Sequence, residues 1–419
     1  EEKMIKEDIY NKINKIKQMK LTINMERGWP SKEQLELSLP MLDMVTSKTN
    51  LLREVDYRGY AGTGGILPLK RLFADMLSTD IENVYIGGTM STTIMYDIIE
   101  KMCSLGKDGN PPWNELEDIK FICPSPGYEK HFKICKRFNI TMLPVPMNQD
   151  GPDMDIVEKM VIDDCSIKGI WCVPLYSNPT GIVYSDEVVR RLANMQTAAR
   201  DFIIMWDNAY CVHHLTKRRY TILNILDECT KAGQKDRVFE FTSTSKITFP
   251  GAGVGVCASS VDNIKWLEHN SLLQLKTGDK INQLRHYLFL QNMDVVHRHM
   301  EKHAAIIKPK FDLIDKKLRC ELREIKGIKW NNPKGGYFMH IELLPNMAKA
   351  VWMKCKELGV SITPAGSTYP YGIDPQDSTI RLAPTYLSLK EISVAMDVFC
   401  CVVKLVYLKN KTGGSYSEC

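Results

Sequence analysis

The chain has 419 residues, of which 44% are hydrophobic and 25% charged, with 55 Lys and Arg against 50 Asp and Glu. That length accommodates two or three domains of roughly 100 to 200 residues each, and the composition is that of a folded globular protein, which excludes a disordered tail or a peptide module. The net charge of +5 is spread without Lys/Arg blocks, so nucleic acid is not an expected partner. Thirteen cysteines, irregularly spaced and without a C-x-x-C pair, fall largely in apolar runs (Cys123, Cys172, Cys257, Cys400, Cys401). Buried thiols in a reducing cytoplasm explain this better than a disulfide framework or a zinc site. Residues 1–20 are charged throughout, and no run of about 18 uncharged apolar residues occurs, so neither export nor a membrane is expected. The first residue is Glu and not Met, so native residues are expected upstream.

Residues 84–86, 119–123, 169–173, 202–206 and 238–241 are short apolar runs without polar alternation, which is how strands buried on both faces read. Helical periodicity lies between them, as in 186–199, where Ser185 is a candidate N-cap followed by Asp186 and Glu187. Such alternation predicts an α/β fold, a mainly parallel sheet flanked by helices. A helical stretch over 295–325, which Pro309 should kink or break, reads as a connector. Beyond it, 335–341, 360–363 and 379–382 read as strands of a smaller α+β domain closed by a helix over 389–407. The expected plan is an N-terminal arm and part of the small domain (1–50), a large domain (51–295), the connector (296–325), the small domain (326–408) and a frayed tail (409–419).

Ligands of open α/β sheets bind at the carboxyl ends of the strands, so the residues that follow each run are read as a set. They are Gly87-Gly88-Thr89-Met90-Ser91-Thr92, Pro126-Gly127-Tyr128, Ser177-Asn178-Pro179-Thr180-Gly181, Asp207-Asn208-Ala209-Tyr210 and Ser243-Thr244-Ser245-Lys246. A lysine at a buried strand end has its pKa lowered towards the range of an amine nucleophile, as a Schiff-base lysine requires. An acid on a neighbouring strand would pair with the ring nitrogen of pyridoxal phosphate. Gly-Gly followed by hydroxyls at a strand-to-helix turn suits a phosphate. Tyr210 and Asn178 could bond a phenolic oxygen, and Tyr128 could stack on a flat ring. Each piece alone has a bland reading as a helix cap, a loop or a turn, and only their order and spacing make them informative.

That order, continued by Arg381-Leu382-Ala383-Pro384-Thr385, resembles the class I aminotransferases of pyridoxal-phosphate fold type I. With Arg27-Gly28-Trp29-Pro30-Ser31, Lys168-Gly169-Ile170-Trp171-Cys172-Val173-Pro174, Lys246-Ile247-Thr248-Phe249 and Asn282-Gln283-Leu284-Arg285-His286, the chain is most similar to the bacterial aspartate aminotransferases related to MocR-type regulators. The resemblance implies Lys246 as Schiff-base lysine and proton shuttle, Asp207 on the pyridine nitrogen, Asn178 and Tyr210 at the phenolic oxygen, and Tyr128 over the ring. It implies Ser91, Thr92 and Ser243 at the phosphate, with Tyr60 reaching the phosphate of the partner subunit in a homodimer with shared active sites. It implies Arg381 on the α-carboxylate of amino acid and 2-oxo acid substrates, beside Asn178 and Gly28. The distal carboxylate of aspartate needs a cation. In the aspartate aminotransferases that it resembles an arginine of the partner subunit supplies it, and counting about 34 positions on from Lys246 reaches Lys280, with Arg285 and Arg27 as further options.

Two departures stand out. Val254 occupies the place of the usual phosphate-binding arginine, and Thr89-Met90 replaces polar residues in the phosphate cup. His299 and His303, four apart, lack a third metal ligand and read as an exposed helix face, so no metal is expected. The glycines at 251, 253 and 255 do not open a helix and are not a dinucleotide fingerprint. The expected activity is amino transfer between aspartate, or a similar amino acid, and 2-oxoglutarate. A β-lyase of the same fold shares every cofactor residue and is the alternative. A cofactor-binding regulatory module ranks last, because such regulators carry an N-terminal DNA-binding domain and few residues precede the resemblance.

Overall fold

The computed structural model describes residues 2–60 and 62–412. In chain order its strands are β1 (Ile23–Met25), β2 (Val84–Ile86), β3 (Lys120–Ser125), β4 (Thr141–Asn148), β5 (Gly151–Pro152), β6 (Ile167–Cys172), β7 (Ile203–Asp207), β8 (Val238–Ser243), β9 (Gly255–Ala258), β10 (Lys329–Trp330), β11 (Met339–Glu342), β12 (Val360–Ile362) and β13 (Thr379–Leu382). Eight of them form one sheet in the order β2-β9-β8-β7-β6-β3-β4-β5. The five strands β8, β7, β6, β3 and β4 are parallel, while β9 pairs antiparallel with β2 and β8, and β5 with β4. The mainly parallel α/β sheet expected from the sequence is therefore present.

Its apolar runs are continuous because both faces are covered. Along β7, Ile204 and Trp206 enter one core with Leu72, Phe73 and Val189, whereas Ile203 and Met205 enter a second core with Ile94, Ile98 and Phe132. Alternate residues thus bury in opposite directions, and no polar position remains between them.

A third core gathers chain ends that are far apart in sequence. Ile9 and Ile13 of the helix Glu2–Gln18 pack with Phe311, Ile314, Met339, Ile380 and Phe399. β1 pairs in parallel with β12, and β10-β11-β13 form a small antiparallel sheet.

Several expected boundaries shift. The helix Met293–Leu322 runs unbroken through Pro309, which is exposed, while Ile307, Lys310 and Phe311 on the opposite side are buried and hold both halves. The helix Asp186–Asn194, capped by Ser185, ends short of 199 because Arg237 Nη1 donates to the carbonyls of Ala193 and Met195. The strand expected from 335 begins only at Met339. Gly335 packs so closely on the Tyr176 ring that a Cβ would lie 2.1 Å from it, and Gly336 has φ 77°. The helix Leu389–Thr412 continues past 407, so 409–412 are helical and not a frayed tail; residues 413–419 of that expected tail lie outside the described residues. The twelve described cysteines are all free thiols. Among the described residues no helix is long and apolar enough to cross a membrane.

Candidate active site

The carboxyl ends of β3, β6, β7 and β8 converge on one edge of the sheet, and β13 with the segment around Arg27 faces them across a cavity of about 560 Å³. Asp207 ends β7, Lys246 stands three residues beyond β8, Asn178 follows β6, and Tyr128 caps the helix Glu129–Arg137 after β3. With Tyr210 these line one wall. Arg381 of β13, Phe338, Thr363, Arg27 and Gly28 line the other. The sequence-predicted residues Lys246, Asp207, Asn178, Tyr210, Tyr128, Arg381 and Gly28 are therefore brought together.

Asp207 is buried, and its Oδ2 lies 2.9 Å from His131 Nε2. The His131 ring is stacked on Trp171 at 4.3 Å, with Tyr128 edge-on to it at 5.0 Å. That packing fixes the imidazole that Asp207 Oδ2 meets. Asp207 Oδ1 is buried and has no hydrogen-bond partner in the protein. A buried carboxylate oxygen without a donor is costly, and a protonated ring nitrogen is the kind of donor that would satisfy it. Lys246 Nζ lies over the rings of Tyr210 and Tyr337 at 5.4 and 5.9 Å. Burial lowers its pKa, opposed by the charge of Asp207. The lysine loop is held from below: Tyr337 Oη donates to Lys246 O (3.4 Å) and receives from Gln34 Nε2 (2.8 Å), and His286 Nε2 lies within 2.9 Å of Thr248 Oγ1.

Arg381 is buried, and each of its three side-chain nitrogens has a partner. Nε donates to Thr363 Oγ1 at 3.0 Å, Nη1 to Asn178 Oδ1 at 3.1 Å, and the fork reaches Glu129 at 2.6 and 3.0 Å. Its guanidinium carbon stands 4.6 Å from the centre of the Phe338 ring. Burial pushes the Glu129 carboxyl up, but the charge and hydrogen bonds of Arg381 outweigh this and hold it below the usual carboxylate range.

The three phosphate candidates sit beside the cavity and not in its lining. Ser91 opens the helix Ser91–Ser104, whose N-cap residue Met90 provides no side-chain cap, and Thr92 follows it in the first turn. The Gly87–Met90 turn lies against Gly255, where a Cβ would meet the carbonyl oxygens of Met90 and Gly87 at 2.6 and 2.7 Å; Gly255 pairs in turn with Ser243. Ser243 Oγ donates to Ser245 Oγ at 3.1 Å. An uncapped helix start, two glycines and these hydroxyls are groups that could hold an anion without an arginine at position 254. Val254 itself is buried and bonds through its backbone to Thr244. Together with Asp207 Oδ1 and Lys246, these residues fit pyridoxal phosphate.

Tyr60 and Lys280 stand apart from this chain's cavity. Tyr60 is 84% exposed. Lys280 is neither a solvated loop charge nor at the cavity: it starts the helix Lys280–Leu290, is buried, and donates to Gly59 O at 2.9 Å and to Thr277 Oγ1. Arg285 Nη2 donates to Asn282 Oδ1 at 2.9 Å. The cations that do line the cavity are Arg27, Lys130 and Lys133 beside Lys246 and Arg381.

Sequence reasoning passed over His131, Glu129 and Phe338. The first two stand three and one positions beyond Tyr128, on the turn that carries it, and His131 is on the helix face that packs on the sheet. His299 and His303 are not on an exposed face; both are buried, 3.1 Å apart, with His299 Nε2 2.7 Å from Ile247 O and His303 Nδ1 3.1 Å from Gln34 Nε2. The segment that covers them, Gln34 to Ser38, is over 250 positions away, which is why helix periodicity alone misplaced them.

The chain is similar to known proteins over nearly its whole length. The family model described as aspartate amino-transferase matches residues 3–414. A Mycolicibacterium smegmatis protein described as an aminotransferase is 43% identical over 385 residues, 91% of this chain and 90% of that one. An aspartate aminotransferase of Corynebacterium glutamicum is 40% identical over 400 residues, 95% and 92% of the two chains. The crystal structure of an aspartate transaminase from Corynebacterium glutamicum superposes with a TM-score of 0.95 at 38% identity, covering 98% of this chain and 97% of that one.

Proposed function

The chain belongs to the aspartate aminotransferase family, and from that premise we propose that it moves the amino group between L-aspartate, or a similar amino acid, and 2-oxoglutarate in a ping-pong cycle with pyridoxal phosphate. The observation that carries this reading is the convergence of Lys246, Asp207 and Arg381 on one cavity. When bound, pyridoxal phosphate supplies an electron sink for the bonds at the substrate α-carbon. Asp207, oriented by His131, would hold a proton on the ring nitrogen through Oδ1. Asn178 and Tyr210 would hold the phenolic oxygen, Tyr128 would cover the ring, and Ser91, Thr92 and Ser243 would hold the phosphate. Lys246 Nζ, its pKa lowered by burial, would take the substrate α-proton and return it as general base and acid. Arg381 would grip the α-carboxylate bidentately.

The homodimer and the cytoplasmic setting belong to the same proposal. Tyr60 and Leu273, 84% and 87% exposed, are large side chains left uncovered by this chain, and a second copy would cover them. Lys280, bonded to Gly59, would then anchor the loop that delivers Tyr60 to the partner's phosphate. We also propose the division of the chain at the Met293–Leu322 helix, whose C-terminal half belongs to the third core.

The test is product analysis. With L-aspartate and 2-oxoglutarate the holoenzyme should form oxaloacetate and glutamate in equal amounts, and Lys246→Ala should lower the rate by at least about a thousandfold. Release of ammonia and pyruvate from a cysteine-type substrate, without amino transfer, would replace this reading by the β-lyase.

A further inference from the structure

The pair Glu129–Arg381 raises a conflict inside the site. A guanidinium fork accommodates one carboxylate at a time, and here the fork is taken by Glu129 at 2.6 and 3.0 Å. The remaining contacts of Arg381 run to Thr363 and Asn178, so the edge held by Glu129 is the one a substrate would need. Arg381 is 3% exposed, and its charge requires a counter-ion at all times.

We propose that Glu129 is a gate on the α-carboxylate receptor: it neutralises Arg381 until the carboxylate of an amino acid or 2-oxo acid displaces it, and it thereby sets substrate affinity. This rests on the proposed role of Arg381 in binding the α-carboxylate.

The surroundings of Glu129 suit an exchange. Its side chain retains 26% exposure, so it can turn outward without disturbing the core. It is the first residue of the helix Glu129–Arg137, where the N-terminal N–H groups favour a negative charge whichever way the side chain points. Lys133, four positions on along the same helix face, is exposed and lines the same cavity, giving the displaced carboxylate a second cation. Lys130 also faces this mouth. The receptor thus passes from one carboxylate to another without ever leaving Arg381 unpaired. Small anions that bring only one weak contact compete poorly with a tethered carboxylate, whereas a substrate that also engages the cofactor and the distal cation prevails.

The cost to the substrate follows from the population of the closed pair. If Glu129 holds Arg381 nine-tenths of the time, apparent affinity is lowered by about tenfold, and removing the charge should restore it. Glu129→Gln keeps the size and one acceptor while removing the charge. In the holoenzyme, KM for L-aspartate and for 2-oxoglutarate and the dissociation constant of succinate by calorimetry should each fall by about three- to tenfold, a larger change than any in kcat. Glu129→Asp, which keeps the charge on a shorter stem, should fall between the two, and its direction decides the matter if the Gln variant does not fold. Equal or higher values in the variants of an enzyme whose wild type transfers amino groups would make Glu129 a fixed brace and overturn the gate alone. A wild type that neither transfers amino groups nor binds succinate would instead overturn the function on which the gate rests.

Discussion

Gly28 shows how a single residue shapes the substrate wall. A Cβ there would lie 2.7 Å from Phe338 Cζ, and the Phe338 ring in turn packs on the Arg381 guanidinium, so the glycine lets the N-terminal segment close over the arginine without displacing it. Its neighbour Arg27 lines the same cavity and rests on the Trp29 ring at 5.5 Å. An aspartate substrate brings a second carboxylate that must meet a cation in a closed site. Since Lys280 is held by Gly59 and Thr277, Arg27 takes its place as first candidate. Arg27→Ala should lower kcat/KM for aspartate and glutamate by at least about tenfold and leave alanine nearly unchanged. Equal losses for acidic and neutral amino acids would remove Arg27 from the distal site and leave Lys133 as the next to test.

Among the elements, β8 carries a buried charge that the proposed chemistry does not use. Glu240 faces Asn208, whose Nδ2 donates to its Oε1 at 2.8 Å, and burial pushes its carboxyl up to about 7. An ordinary glutamate in the unfolded chain loses its proton near pH 4.5, so between that pH and 7 the folded state keeps a proton that the unfolded state gives up. Stability therefore falls as pH rises through this window, by at most about 3 kcal/mol once both states have ionised. Glu240→Gln retains the acceptor and removes the titration. Its advantage over wild type in urea unfolding should be small at pH 5 and grow by pH 8, and a constant difference would show that Glu240 is not the titrating group.

The same strands show what was legible in the sequence. Val84–Ile86 stands out as an uninterrupted apolar run because two cores bury its alternate residues, and the run 238–241 is broken only by Glu240. Lys246 and Asp207 were legible because strand ends deliver side chains to one edge in chain order. β5 and β10 were not, being two residues each and defined only by a neighbour's pairing. His299, His303 and Glu129 were misjudged or missed for one reason: their partners Gln34, Ser38 and Arg381 come from distant segments, and helix periodicity carries no information about what packs on a face.

At the scale of the whole molecule, the cavity is finished by Arg27, Gly28, Phe338, Thr363 and Arg381 from the two ends of the chain, and a second copy is proposed to finish the phosphate end. Lys246 and Arg381 belong to one chain's cavity, whereas Tyr60 is exposed outside its lining, next to Gly59, whose carbonyl is held by Lys280. A symmetric dimer that exchanges this loop would assemble each site from Lys246 of one protomer and Tyr60 of the other. Mixing two defective homodimers tests this directly. Lys246→Ala should remove the proposed proton shuttle, and Tyr60→Ala should weaken phosphate binding. After subunit exchange half of the dimers are hybrids, and each hybrid has one site with both residues intact and one with neither. The mixture should regain about one quarter of wild-type activity at limiting cofactor, where the Tyr60→Ala homodimer alone is poorly loaded. Activity equal to the mean of the two parents, with exchange verified by a mass-tagged subunit, would confine Tyr60 to its own chain and leave Ser91, Thr92 and Ser243 to hold the phosphate unaided.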